Sequence, residues 1–431
     1  MRETMDCSEW KISLFFDMDS CLCHNFCMIQ TVLKYMLCLF AAIYCCGCKP
    51  YEDITRILFA SDLHYLSDEL YDDGEAFLSV VTNADGKYMT YIEQITDAFV
   101  DQVSTDQPDV LVLSGDLTFN GEKISHEHLT QKLEKIEQNG IRVCVIPGNH
   151  DIENPYARKY EEDEVLFTGS VSRDSFVEMY DAFGYEDALY KDRESFSYVT
   201  EVDEHTWLLL LDVNASMCTN AFTQNTLKWI EDVLQAGKKE GVHVISITHQ
   251  NLLQHSLFTD GFIIDNAEDV ISLFEEYGVR VNMSGHMHIQ HQSFLDALLE
   301  CTDSALSVSP LQYGVMDVSD DHILYHTEQL DVAEWAKDHH LEGYENFRDD
   351  AEDFFVEIGK KRKNELNVQE DLLDAYMQMN CAYFSGDLRN VEISEEMISR
   401  WKESDPYTWM YIPSILQEKG NDYRNFEIDL N

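Results

Sequence analysis

Ile146-Pro147-Gly148-Asn149-His150-Asp151 sets a glycine turn, an amide oxygen, an imidazole and a carboxylate directly after an apolar run at residues 143–146. The run reads as a short buried strand, and Gly148 turns the chain so that Asn149, His150 and Asp151 fall at its carboxyl end. Open α/β sheets place their ligands at that edge. Taken alone, the four polar-turn residues also fit an ordinary surface turn. What decides between the two is whether other segments repeat the pattern.

They do. Asp62 and His64 follow an apolar stretch at residues 56–60, Asp116 follows 109–113, His249 follows 242–248, and His286 and His288 follow 279–283 across Gly285. Between these runs, Ile92, Ile95, Phe99 and Val103 mark one helix face, and Leu129, Leu133 and Ile136 another that stops at Asn139-Gly140. Leu227, Ile230 and Leu234 mark a third, and residues 267–277 a fourth that ends at Gly278. Strands alternating with helices, with polar motifs only after strands, predict βαβ units and a mostly parallel sheet. Residues 196–202 and 206–212 are expected to pair. Residues 313–319 and 322–325 are expected to finish a second sheet as antiparallel strands. The acidic stretch 67–88 reads as a long irregular loop beside the site, a candidate lid.

A chain of 431 residues exceeds the ~250–300 at which single cores stop growing, so more than one unit is expected. The reading is an amino-terminal extension at 1–50, a body at 51–328 and a small helical carboxyl-terminal domain at 329–431. In the last, Phe354, Phe355 and Ile358, then Leu372, Leu373, Tyr376 and Met379, recur at helical spacing. Its aromatics, among them Trp401, Trp409 and Tyr411, are expected to serve packing rather than a binding box.

The formal net charge of −51 argues against binding to a nucleic-acid polymer, whose phosphates need clustered Lys and Arg. It also repels anionic substrates at long range, so phosphate chemistry here requires cations held in the site. Eight of the twelve cysteines lie before residue 50; Cys144, Cys218, Cys301 and Cys381 are scattered without metal-ligand spacing and read as free thiols. The apolar run at 35–46, preceded by Lys34, has the length of a signal-peptide core, and Gly47-Cys48 resembles the cleavage and lipidation box of bacterial lipoproteins. Cys48 would carry the lipid anchor, with Met28 as the natural start. The expected location is therefore the outer face of a bacterial cell membrane; the alternative is a cytoplasmic protein with an unstructured amino terminus.

Carboxylates, imidazoles and an amide oxygen are the donors that Zn²⁺, Mn²⁺ or Fe accept, and the absence of cysteine at these strand ends argues against a thiolate site. The order Asp-x-His, Gly-Asp, Gly-Asn-His-Asp, His, Gly-His-x-His resembles the calcineurin-like metallophosphoesterase family over residues 56–327. Gly115 to Glu122, the Asn154-Pro155-Tyr156-Ala157-Arg158 run and His249-Gln250-Asn251 are similar to bacterial class III cyclic-nucleotide phosphodiesterases, including lipoproteins of Gram-positive bacteria. Gln250 departs from many such relatives, which carry a second histidine there.

The resemblance implies a four-layer α/β/β/α sandwich and two divalent metal ions, Mn, Fe or Zn. Asp62, His64 and His288 would bind one, Asn149, His249 and His286 the other, and Asp116 would bridge them. A hydroxide activated between two such cations attacks phosphorus in line. His150 is left as the acid for the departing oxygen, with Asp151 orienting it or raising its pKa, and Asn120, Asn154 and Arg158 are candidate substrate contacts. The expected substrate is a small phosphodiester, foremost a 3′,5′-cyclic nucleotide. Envelope phosphodiesters or extracellular nucleotides are the alternative, and a non-catalytic binding module a lesser one. His126 and His128, at the start of a helix, are read as a solvated face.

Overall fold

The computed structural model describes residues 54–430 apart from 216, 218 and 365–367. The Cys48 lipidation reading and the extension at 1–50 lie outside the described residues. Strand β1 (Thr55–Ala60) is followed by helices α1 (Glu75–Asn83) and α2 (Ile92–Asp106), strand β2 (Val110–Leu113), helix α3 (Lys123–Gln138) and strand β3 (Arg142–Val145). The three strands pair in parallel, with Leu58 against Leu111 and Leu111 against Val143. These are the βαβ units expected from the sequence. The stretch expected as an irregular lid is largely built in: α1 interrupts it, and Leu70, Phe77 and Val81 are buried.

A small hairpin, β4 (Arg158–Glu161) and β5 (Glu164–Phe167), and helix α4 (Arg173–Tyr180) lead to the second half. There β6 (Tyr190–Lys191), β7 (Tyr198–Asp203), β8 (Thr206–Leu211), helix α5 (Gln224–Glu240), β9 (His243–Thr248), helix α6 (Ala267–Tyr277), β10 (Val281–Ser284), β11 (His291–Leu295) and β12 (Leu298–Thr302) follow. They form a seven-stranded sheet in the order β11-β12-β10-β9-β8-β7-β6. Helix α6 stops because Gly278 takes a left-handed φ of 83°, which a glycine adopts without steric cost.

The two sheets face each other, as the alternation in β8 demonstrates. Leu208 and Leu210 join a cluster with Phe59, Leu111 and Val143 of the first sheet. Trp207, Leu209 and Leu211 point the other way, onto Ile230, Leu234 and Phe274 of α5 and α6. A strand buried on both faces has no polar side, which is why 207–211 is uninterrupted apolar sequence. Each such leucine contributes about 1.5–3 kcal/mol of burial. Helix, sheet, sheet and helix thus form the four layers.

One expectation is corrected. Strands β13 (Gln312–Val318) and β14 (His322–Gln329) do not complete the second sheet; β13 pairs antiparallel with β1, Ile57 opposite Met316, and β14 pairs with β13. The second sheet is instead finished by β11 and β12. Side-chain alternation shows that a strand has a buried face but not which edge accepts its hydrogen bonds.

Helices α7 (Val332–Asp338), α8 (Phe347–Asn364), α9 (Glu370–Ser385), α10 (Glu395–Ser404) and α11 (Pro406–Leu416) supply the helical tail. Leu372, Leu373, Tyr383, Trp401 and Ile412 pack together with Ile289 of the body. The chain then returns as β15 (Asn425–Asp429), which pairs with β14 and stacks Phe426 on Tyr325. The first sheet therefore runs β15-β14-β13-β1-β2-β3, and Ile54–Asn431 form one compact unit. Among the described residues no helix is long and apolar enough to cross a membrane.

Candidate metal centre

The carboxyl ends of β1, β2, β3, β9 and β10 carry Asp62 and His64, Asp116, Asn149, His249, and His286 and His288, and the two facing sheets bring these ends together. Asp62, His64, Asp116, His286 and His288 all hold left-handed φ values, between 47° and 67°. Such conformations cost a non-glycine residue about 1–3 kcal/mol each and persist only where neighbours over-determine them. Here the backbone does so: Asp62 N donates to Gly115 O at 3.1 Å, His64 N to Asp116 O at 2.9 Å and Gly285 N to His249 O at 3.0 Å. Two glycines permit the close approach. A Cβ on Gly148 would run into the backbone and carboxylate of Asp116, and one on Gly285 into the Ser61 hydroxyl.

Three overlapping groups of donors result: Asp62, His64 and His288; His64, Asp116 and His150; Asp116, His249 and His286, with ligand atoms inside each group within 4.8 Å of one another. His288 Nε2 lies 3.2 Å and His64 Nε2 3.7 Å from Asp62 Oδ1. Asp116 stands between the sets, Oδ2 3.7 Å from His64 Nε2 and Oδ1 3.4 Å from His249 Nε2. Asn149 Oδ1 is 3.1 Å from the same His249 nitrogen. All seven ligands expected from the sequence are therefore brought to one place.

These residues fit a divalent cation. Asp62 Oδ2 accepts from Ser61 Oγ at 2.6 Å and His286 N at 2.8 Å, while the fully buried Oδ1 has no hydrogen-bond partner. A buried carboxylate oxygen that faces only imidazole nitrogens, with no well-aligned donor, is costly unless a cation sits between them. The tautomers are set from behind: His249 Nδ1 donates to Ser114 O at 2.8 Å, leaving Nε2 as the lone-pair nitrogen, and His286 Nε2 donates to Gly261 O at 3.1 Å, leaving Nδ1. Burial alone would raise both carboxyls, yet His288 holds Asp62 down at about 2, and His249, His150 and His64 hold Asp116 well below the carboxylate range. Burial works against a proton on His249 too, but without a cation Asp116 outweighs it and raises this imidazole to about 9, so a cation at Nε2 would take the place of a proton there. Burial takes His64 well below its usual value and His286 to about 4.

His150 is partly exposed, with Nε2 3.9 Å from Asp116 Oδ2. Its Nδ1 lies 2.7 Å from Phe119 O and 3.1 Å from Asn120 Oδ1. A carbonyl only accepts, so Nδ1 carries a proton and the ring is held with Nε2 toward the donor groups. Asp151 does not orient His150 as expected. Its carboxylate turns away from the His150 ring and accepts from Gly148 N, Leu117 N, Thr118 N and Thr118 Oγ1, the first at 2.7 Å. It ties the β3 loop to the β2 loop and leaves orientation of His150 to Phe119 and Asn120. Burial, helped by Asp116, raises its carboxyl to about 6.

The sequence model of calcineurin-like phosphoesterases matches residues 55–290, more than half of the chain. The chain belongs to the calcineurin-like phosphoesterase family. It is a metal-dependent phosphoester hydrolase. Similar solved structures include a dimetal phosphatase from Danio rerio, 14% identical, with 64% of this chain and 96% of that one covered and a TM-score of 0.47. The GAP50 anchor of the Plasmodium inner membrane complex is 12% identical, covering 64% and 89%, TM-score 0.41, and PhoD is 12% identical, covering 63% and 65%, TM-score 0.37. No curated protein matches the chain.

Not every expected contact faces the centre of this phosphoesterase. Asn154 Nδ2 donates to His150 O at 3.0 Å and its Oδ1 accepts from Tyr156 N at 2.9 Å. Arg158 donates to Pro155 O and Ala157 O and lies 4.1 Å over the Phe167 ring. Both hold their own loop, because short side-chain to backbone bonds satisfy them locally. Gln250, the departure from the motif, is buried and exchanges amide bonds with Asn214, whose Nδ2 also reaches Pro147 O at 3.0 Å. It braces the central loop.

Two residues escape the sequence reading. His126 is fully buried, between Tyr180 Oη at 2.8 Å and Thr118 Oγ1 and Asp151 O at 3.0 Å, not on a solvated face. Lys87 lies in the stretch between α1 and α2, 4% exposed, with Asp85 4.0 Å from its ammonium. Tyr88 N donates to Ser307 O, and Ser307 Oγ to Asp62 O, so this lysine is fastened close to the first ligand. Burial lowers its ammonium pKa, while Asp85, Asp116 and Asp62 act in the opposite sense. No local sequence signal marks either residue; only a lysine beside an Asp-Gly turn is visible.

Proposed function

We propose that this phosphoesterase is a dinuclear phosphodiesterase that opens 3′,5′-cyclic nucleotides to nucleoside 5′-monophosphates. The observation that carries the reading is Asp116, whose two carboxylate oxygens face different histidines, His64 and His249, in different donor sets. Asp62, His64 and His288 would hold one cation and Asn149, His249 and His286 the second. When bound, the cations supply charge stabilisation on the phosphoryl oxygens and lower the pKa of attacking water.

The chain's own groups do the rest. His150, fixed through Nδ1 by Phe119 O, would give a proton from Nε2 to the departing 3′ oxygen as the P–O3′ bond breaks. Lys87 adds a buried positive charge that offsets the surrounding carboxylates as an anionic diester enters. With Cys48 as a lipid anchor, the enzyme would face outward and meet extracellular nucleotides.

The test is metal-stripped protein refilled separately with Mn²⁺, Zn²⁺ or Fe²⁺ and supplied with 3′,5′-cyclic AMP or an activated aryl phosphodiester. Metal-dependent appearance of 5′-AMP is the expected result. Turnover of the aryl ester alone would remove the cyclic-nucleotide substrate and keep the hydrolase.

A further inference from the structure

Beside the metal centre, the body and the carboxyl-terminal helices together line a cleft of about 260 Å³ that opens to solvent. Its lining includes Met287, which sits between the two ligands His286 and His288, and Phe262, whose ring lies 5.2 Å from that of His286. Phe258 comes from the loop after β9, while Tyr376 of α9 and Tyr411 of α11 come from the tail. Phe258 and Tyr411 lie near parallel, 22° apart with centroids 5.6 Å apart. The aromatics that sequence reading assigns to packing divide in two: Trp401 is fully buried, while Tyr411 and Tyr376 remain partly open around a void.

Small-molecule sites are concave and lined mostly by apolar and aromatic side chains with a few polar groups, and this ring-lined cleft has that character. Polar atoms of the wall are satisfied within it, since Tyr411 Oη donates to Asn380 Oδ1 at 3.0 Å and Tyr383 Oη to His255 O at 2.8 Å. The cavity therefore presents mainly ring and thioether surface. One cation borders it, Lys363, whose Nζ is 3.2 Å from Asp405 and 5.5 Å from the Tyr376 ring centroid. A second cavity of about 370 Å³ shares Lys363, Tyr376, Asn380 and Phe384 with the first and extends to Asp85 and Gly86, next to Lys87.

We propose that this cavity is a subsite for the planar aromatic group of the phosphoester, a nucleobase, held between aromatic walls while the phosphoryl group lies at the metal centre. The inference rests on the reading that a phosphoester binds at the Asp116 centre, and it goes further by assigning substrate selection to the carboxyl-terminal helices. Stacking chemistry recognises any flat ring with little preference among bases, and Lys363 at the edge favours rings carrying carbonyl or ring-nitrogen acceptors. A phosphoester without a ring would use the metal centre alone.

Calorimetric titration of the metal-loaded full chain with adenosine 5′-monophosphate and with ribose 5-phosphate tests it. The nucleotide is expected to bind about tenfold tighter or more, the contribution of one stacked base. Phe258→Ser and Tyr376→Ser, each checked by thermal melting, should bring the ratio close to one while leaving ribose 5-phosphate affinity unchanged. Equal affinities in the unaltered protein, which needs no variant to fold, or an undiminished ratio in both folded variants, would overturn the inference. If neither ligand binds with metals in place, the reading of the Asp116 centre falls and this one with it. Turnover of phosphodiesters without any nucleotide preference removes the subsite alone.

Discussion

The backbone N–H of His150 donates to Asp116 Oδ1 at 2.8 Å. The loop that carries the acid and the carboxylate shared by both donor sets are thus one mechanical piece, and a change in either is felt by the other. Asp116→Ala removes the shared ligand and an anchor of the loop. Metal content by elemental analysis should drop, and phosphodiester turnover should fall by at least ~100-fold, the scale at which even outer partners of metal ligands act. Full metal content with full activity would exclude a bridging role.

His150→Ala leaves every ligand to the proposed cations in place. Metal content should be unchanged, while kcat on a diester with an alkyl leaving group drops by about 10²–10⁴-fold and on an activated aryl diester far less. An aryl oxygen leaves without protonation, so the split between the two substrates reports proton donation. Equal losses would assign His150 to structure only.

Lys87→Met keeps the length of the side chain and removes its charge. With metals retained, kcat/KM on anionic diesters is expected to fall about 100-fold, as for loss of one preorganised donor to developing negative charge. The melting temperature should not drop, since burial of the ammonium costs desolvation that Asp85, Asp116 and Asp62 do not fully offset. Unaltered kinetics would limit Lys87 to offsetting the charge of Asp62 and Asp116.

His126 supplies a pH dependence of stability. Burial lowers its imidazole to about 3, so in the folded state it stays neutral while the unfolded chain takes up a proton near pH 6.5. The unfolded state binds more protons in that window, so stability rises with pH from about 3 to 6.5 and is lost as pH falls, by about 1.4 kcal/mol per unit from this residue. Urea unfolding at pH 7.5 and pH 5.5 should show a smaller gap for His126→Gln than for the unaltered chain. An identical gap would mean that His126 does not titrate between the folded and unfolded states.

The ligand set is legible in the sequence because each ligand follows a short apolar strand, and the carboxyl ends of strands in facing sheets converge. Glycines flag the same places: Gly148 and Gly285 are required where loop backbones nearly touch. Strand membership is not legible in the same way. The apolar residues of 313–318 tell that a strand is buried but not that β13 takes the free edge of β1. The tail's helices are visible in their spacing, whereas the return of β15 to β14 depends on a pairing about a hundred residues away in sequence.

The order of residues specifies the chemistry available to this protein: which donors exist, in what succession, and that they stand after buried strands, because local patterning is written in neighbouring residues. How those donors are used follows from the tertiary fold. It makes Asp151 a brace rather than a partner of His150, buries His126 and Lys87, holds five ligand residues in left-handed backbone and opens a ring-lined cavity beside Met287. These outcomes depend on which distant segments share a hydrogen bond or a void, and a side chain's environment is set by neighbours that its own stretch of chain does not contain.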